Sequence, residues 1–244
     1  MPIIEAASTD GYVVKTVTGT TTWADVRDAT TGSGVNATQT RSAVAVAVLY
    51  GLARGGLYGI YRAFFAFDTS GITAPVASAT INIYGYSAGD LDIIGVKATK
   101  PDLSTGIAAA DYDAITGFSA GSSMNGNVTD YTAEVTSWNT SAYNSITLNA
   151  AALSDLQSLS VFAICFVDHT YDYLNVAPNQ AASFGYIIDN NGMYFKEGGT
   201  GLVPTIDYTL ATGYTHNVLG VAAANVAKVN GVATANIDKI NGVD

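Results

Sequence analysis

Short apolar runs with two-residue alternation recur along the chain, broken by clusters of Gly, Asn, Asp, Ser and Thr. That pattern predicts β-strands joined by turns. Strands are expected at 11–17, 42–50, 58–67, 78–86, 93–97, 129–135, 145–148, 160–167 and 203–210. The run AVAVAV at 43–48 alternates small and branched residues, which suits a strand pressed between two layers. The run YRAFFAF at 61–67 is apolar on both faces apart from Arg62, which predicts a central strand and an arginine paired with a core carboxylate. Helix signals are sparse. Asn149 is placed to cap a short helix ending at Leu159, with Leu153, Leu156 and Leu159 on one face, and 25–29 can add a turn. Asn190-Asn191-Gly192 reads as a turn between two strands, 184–189 and 193–196.

Nine or ten such strands define an all-β chain, and their number and length fit a two-sheet jelly-roll sandwich over 1–210. Residues 211–244 then form a C-terminal tail of different character, expected to be extended. Within it, GVAAANVAKVN at 220–230 is followed by GVATANIDKIN at 231–241, identical at seven of eleven positions, and a third copy begins at Gly242. A repeat this short cannot bury its own apolar side chains and needs a surface to lie on.

Three conformations compete for the tail. An eleven-residue helical period would align Val221, Val226, Val229, Val232, Ile237, Ile240 and Val243 in one stripe. Gly231, Gly242 and the branched residues oppose that helix, at up to about 1 kcal/mol each. A hairpin turning at Asn230-Gly231 uses the favoured dipeptide but is marginal alone. An extended strand added to a neighbour's sheet edge satisfies the backbone and seats alternate Val/Ile side chains, and it is the preferred form. Those seven residues are then the expected subunit interface. Their burial is worth on the order of 10 kcal/mol before ordering costs.

Composition points the same way. Only 12% of residues are charged, about half the usual share of roughly 25%, while apolar residues make up an ordinary 48%. Subunits packed side by side therefore repel one another little. The net charge of −10 and ten scattered basic residues argue against nucleic acid, which needs Lys/Arg stripes, and against anionic membrane surfaces. No run of about 18 apolar residues is present, so no membrane-inserted helix is expected. The N-terminal residues MPIIEAASTDG lack the features of a signal peptide. An extracellular location then implies either a leader removed earlier or exit inside a virion. Cys165, the sole cysteine, sits in an apolar run and reads as a buried small hydrophobe.

Candidate chemistry is thin. The acid pairs Asp90/Asp92, Asp111/Asp113 and Asp168/Asp172 carry no spacing that marks a glycosidase, and no enzymatic activity is expected. No cofactor is expected either. Structural calcium is the one metal that the 168–172 and 189–191 loops suit, although Asx residues at turns are first explained by local backbone bonds. Tyr84, Tyr86, Tyr171, Tyr173, Trp23 and Trp138 are candidates for sugar stacking, with core or subunit contact the preferred reading. Asn36, Asn127 and Asn139 begin Asn-x-Ser/Thr sequons in expected loops.

The stretch Arg62-Ala63-Phe64-Phe65-Ala66-Phe67-Asp68-Thr69-Ser70-Gly71-Ile72, followed by Ser78-Ala79-Thr80-Ile81-Asn82-Ile83-Tyr84, resembles a signature of galactose-binding-like jelly rolls. Leu202-Val203-Pro204-Thr205-Ile206-Asp207-Tyr208-Thr209 is similar to the closing strand of those domains. Such domains occur in phage structural proteins and in bacterial extracellular and surface proteins, and the KVNG and KING units look like the repeats that trail them. The resemblance implies a fold, and no ligand-contact motif comes with it. The function expected is thus a non-enzymatic subunit that binds other copies of itself, head to tail, into an extracellular or virion fibre. The alternative is a carbohydrate- or receptor-binding module with glycans as partners.

Overall fold

The computed structural model describes residues 1–89, 92–182 and 184–211, together with the backbone of 228–229 and 232–233. Its strands are β1 (Ile3–Glu5), β2 (Gly11–Thr18), β3 (Gly34–Asn36), β4 (Arg41–Gly51), β5 (Leu57–Asp68), β6 (Val76–Ala88), β7 (Ile93–Lys97), β8 (Tyr143–Thr147), β9 (Val161–Asp168), β10 (Ile187–Tyr194), β11 (Thr205–Leu210), β12 (Lys228–Val229) and β13 (Val232–Ala233). Among the described residues the α-helices are α1 (Trp23–Arg27) and α2 (Ala150–Ser158). The chain is all-β, and its paired strands run antiparallel.

One hydrogen-bonded path, β1-β11-β6-β10-β4-β5-β2-β3, links most of the strands; β8 adds to β6, and β9 adds to β5 and carries β7. Strand β10 joins the two halves, pairing with β4 on one side and β6 on the other. Strand β5 holds the centre. Along one edge it meets β2, and along the other it is shared between β4 at its start and β9 at its end. Both of its faces are buried, as the YRAFFAF run implies. On one face Phe65 stacks on Phe195 with centroids 5.5 Å apart and meets Phe166 edge-on at 6.2 Å.

The other face of β5 carries Arg62, completely buried. Its Nε and Nη2 donate to the two carboxylate oxygens of Asp172 at 2.7 and 2.8 Å. Nη1 donates to the Tyr112 carbonyl at 2.7 Å, and Nη2 also reaches the Arg27 carbonyl at 3.1 Å. The guanidinium lies 4.2 Å from the Tyr112 ring centroid and 4.9 Å from that of Phe118. Arg27, equally buried, donates twice to the Asp172 carbonyl at 3.2 Å and pairs with Asp28 at 2.8 Å. The expected core carboxylate partner of Arg62 is therefore Asp172. This cluster fastens α1, the 109–118 loop and the turn after β9 onto the central strand.

The helix at Asn149 forms as expected, its side chain accepting from the Ala152 amide at 3.1 Å. The turn near 25 is a short helix closed by a Thr22/Asp25 capping box. Two expectations fail. Residues 129–135 make only isolated bridges, at Asp130, Thr132 and Val135. Asn190-Asn191-Gly192 is no turn; it lies inside β10, where the register shifts. A Cβ on Gly192 would come within 2.6 Å of the Ser42 carbonyl oxygen and 2.3 Å of Ser87 Oγ, so glycine is there for close approach between two flanking strands. The sequence cue was sound chemistry assigned to the wrong cause.

Removing Asp172 leaves a buried guanidinium without its counter-charge. Asp172→Ala is expected to lower unfolding stability by about 3–5 kcal/mol, read as a shift of the urea midpoint. An unchanged midpoint would show that the pair does not hold these elements.

Candidate functional site

In the 168–172 segment both carboxylates are engaged by the protein itself. Asp168 caps the π-helical turn 169–173, accepting from the Tyr171 and Asp172 amides, while Asp172 is committed to Arg62. His169 faces Glu134 at 2.9 Å. Of the acid pairs, Asp111 accepts from the Ala108 amide at 2.8 Å, and Asp90 lies outside the described residues.

The aromatic candidates divide. Trp23 and Tyr173 are buried, and Trp138 is half-buried with its indole donating to the Gly192 carbonyl at 2.9 Å. Tyr171 packs at the core margin, 5.9 Å from Tyr50. Tyr84 and Tyr86 instead lie on the outer face of β6. There they join Tyr143 of β8 and Tyr194 of β10 in a chain of edge-on rings with centroids 5.3–5.9 Å apart. Arg41 lies 4.2 Å from the Tyr86 centroid and donates to the Tyr194 hydroxyl at 2.7 Å. Tyr143, Tyr194 and Arg41 join this group only through strand pairing.

A second feature is a hollow in the sheet that no single run of residues forms. Alternation puts Leu57, Gly59 and Tyr61 on the same face of β5 as the buried Ala63, Phe65 and Phe67. At this end the face opens into a trough of about 350 Å³, crossing β2, β5, β4 and β10. Registers place Thr16 opposite Gly59, Gly59 opposite Leu49, and Leu49 opposite Ile188. With no side chain on Gly59, that row has a low floor, whose missing Cβ would sit 3.3 Å from both Leu49 Cβ and Thr16 Oγ1. Tyr186 is 59% exposed at the edge and Ile188 37%. Nearby Phe184 is 94% exposed, on a segment held just beyond the end of β4, where the Ala53 amide donates to the Gly185 carbonyl at 2.8 Å. Arg54 stands at the rim in the left-handed region (φ 55°), on the Arg54-Gly55-Gly56 turn. The only cue in the sequence was a glycine inside an aromatic strand run, which marks a close approach or a gap.

The sequon asparagines are spread over the surface. Asn127 and Asn139 are exposed, with Asn127 Nδ2 donating to the Ser123 carbonyl at 2.8 Å and Asn139 Oδ1 accepting from the Ser141 amide at 2.9 Å. Asn36 is half-buried on β3 and bonds Gln39. Among the seven tail residues, the side chains lie outside the described residues. The backbone of Val229 and Val232 does not: β12 and β13 pair antiparallel on either side of Asn230-Gly231. These four positions pair as they would in the hairpin alternative, in the register the Asn-Gly dipeptide favours.

Two buried carboxyls are set apart electrostatically. Burial pushes Asp10 up to about 8, against the lowering effect of a 2.9 Å bond from the Lys196 amide; its Oδ1 has no hydrogen-bond partner. Burial likewise pushes Asp168 up to about 7 despite its two amide donors. Burial raises the Cys165 thiol well above its ordinary value, consistent with an inert core residue. Compared with known proteins, the chain matches no family model and no curated protein.

The carboxyls predict a pH profile. Between about pH 4, where an unfolded aspartate ionises, and about pH 8, native Asp10 keeps a proton that the unfolded chain has released. Unfolding stability should therefore fall as pH rises through this window and level off above it. Asp10→Asn should flatten part of that slope in urea titrations from pH 4 to 9; an equally steep variant would assign the slope elsewhere.

Proposed function

We propose that this chain is a non-enzymatic structural subunit, a jelly-roll sandwich over 1–210 whose C-terminal repeats join copies head to tail into an extracellular or virion fibre. The observation carrying this reading is the tandem repeat at 220–241, a Val/Ile comb that follows a domain with its own core. Strand β11 ends at Leu210, and the Ala211 amide is anchored to the Pro75 carbonyl at 2.7 Å, so the chain leaves the domain toward the repeats from a fixed point. Low charge supports close packing of like subunits. A head-to-tail contact that does not close on itself generates a filament. In this reading the Val/Ile side chains dock by strand addition on the neighbour.

A chain ending at Ala211 is expected to stay monomeric at concentrations where the full chain forms filaments, seen by negative-stain electron microscopy and sedimentation. Filaments from the shortened chain would remove the tail from the joint.

A second reading, a carbohydrate-binding module, is favoured by the exposed tyrosine face with Arg41 at its edge. Aromatic faces stack on sugar rings, and the guanidinium adds donors beside them. On a glycan array the full chain should then retain a sugar class that Tyr86→Ala loses at least about tenfold, since aromatic anchors dominate such contacts. Identical signals from both proteins would dismiss it.

A further inference from the structure

The trough over Gly59 and the second tail repeat are complementary, and we propose that residues 236–241 of one copy dock in the trough of the next. This rests on the tail being the joint of the fibre reading above. It names the acceptor on the neighbouring molecule and seats the tail there by side chains on a sheet face rather than by strand addition, since the strands under the trough already pair with one another. The trough offers an apolar floor of Leu49, Leu57 and Ile188 beside Tyr61, with one cation at its rim. Arg54 is exposed, and no ion pair engages it among the described residues.

The two repeats differ at four positions, and three of the differences suit this site. Val226 becomes Ile237, Val229 becomes Ile240, and Ala227 becomes Asp238. The second repeat therefore carries larger apolar side chains around one new carboxylate. An isoleucine buried in the trough removes apolar area on both partners from water. In the same segment Asp238 lies one residue from Ile237 and two from Ile240, within reach of the cation at the rim. A carboxylate meeting a guanidinium at the edge of an apolar contact fixes register and orientation, because the arginine fork binds carboxylate in a set geometry. The first repeat, with Ala227 at that position, has nothing to offer Arg54.

Reach is adequate. Some 25 residues separate Ala211 from residue 236, and a fully extended chain of that length spans about 80 Å. A domain of this size has a radius of gyration of about 17 Å. The β12–β13 hairpin shortens the span without closing it off.

Charge exchange in the full-length chain tests the pairing. Arg54 already occupies the left-handed region, so Arg54→Glu adds no new backbone strain, and its thermal midpoint should match that of the parent. Its critical concentration for filament formation should rise about tenfold or more, as expected when like charges face each other. Asp238→Lys alone should do the same, and the double variant Arg54→Glu/Asp238→Lys should return assembly to near the parent value. In parallel, Ile188→Cys/Ile240→Cys should give a ladder of disulfide-linked oligomers on non-reducing gels. Undiminished assembly by Arg54→Glu, or a double variant no better than either single one, overturns the docking while leaving the tail as the joint. A disulfide formed only within monomers overturns it too, since the tail would then lie on its own domain. A full-length parent that never polymerises defeats the fibre reading itself, and the docking with it.

Discussion

The buried ion pair between Arg62 and Asp172 is the constraint on which the remaining structure turns. A guanidinium at the centre of an apolar strand is tolerable only with its charge matched and its donors filled. The chain meets that demand with a carboxylate 110 residues away, the carbonyls of Tyr112 and Arg27, and two aromatic rings. Each partner comes from a different segment outside the sheet. Loops that carry little periodicity are thereby tied to one atom cluster and gain fixed positions. Such a pair adds less to net stability than an apolar core of equal volume would. Its contribution is to fix which segments meet.

With β5 held on that side, its opposite face divides in two. The C-terminal half packs into the aromatic core through Phe65 and Phe67, while the N-terminal half opens onto the trough floored by Gly59. The same alternation that builds the core therefore also builds an apolar surface. The tyrosine chain with Arg41 lies on the outer face of β6 and its neighbours. The domain thus presents two distinct surfaces, an aliphatic hollow and an aromatic ridge.

Much of the strand pattern was legible because alternation and turn residues act locally. The runs that became β2, β4, β5, β6, β7 and β9 are found within a residue or two of where their periodicity puts them. The helix capped by Asn149 was legible for the same reason. What failed depended on tertiary approach. Asn190-Asn191-Gly192 has the composition of a turn, yet its glycine answers to the neighbouring strands' atoms. Arg62 could be assigned a carboxylate in general but not Asp172 in particular. The trough was invisible because Thr16, Gly59, Leu49 and Ile188 lie on four strands and meet only through register. Whether the repeats bind a neighbour depends on a surface that no single segment of the chain encodes.

The seating of β11 has a mechanical consequence. This strand, the last of the large sheet, lies between β1 and β6, with Ile206 opposite Ile4 on one side and Ile81 on the other. Tension drawn along its axis from beyond Ala211 would load two ladders in shear, so that many bonds must yield together rather than peel away singly. A strand held in that way resists force better than one at an edge, and the load passes straight into β6, the longest strand of the domain.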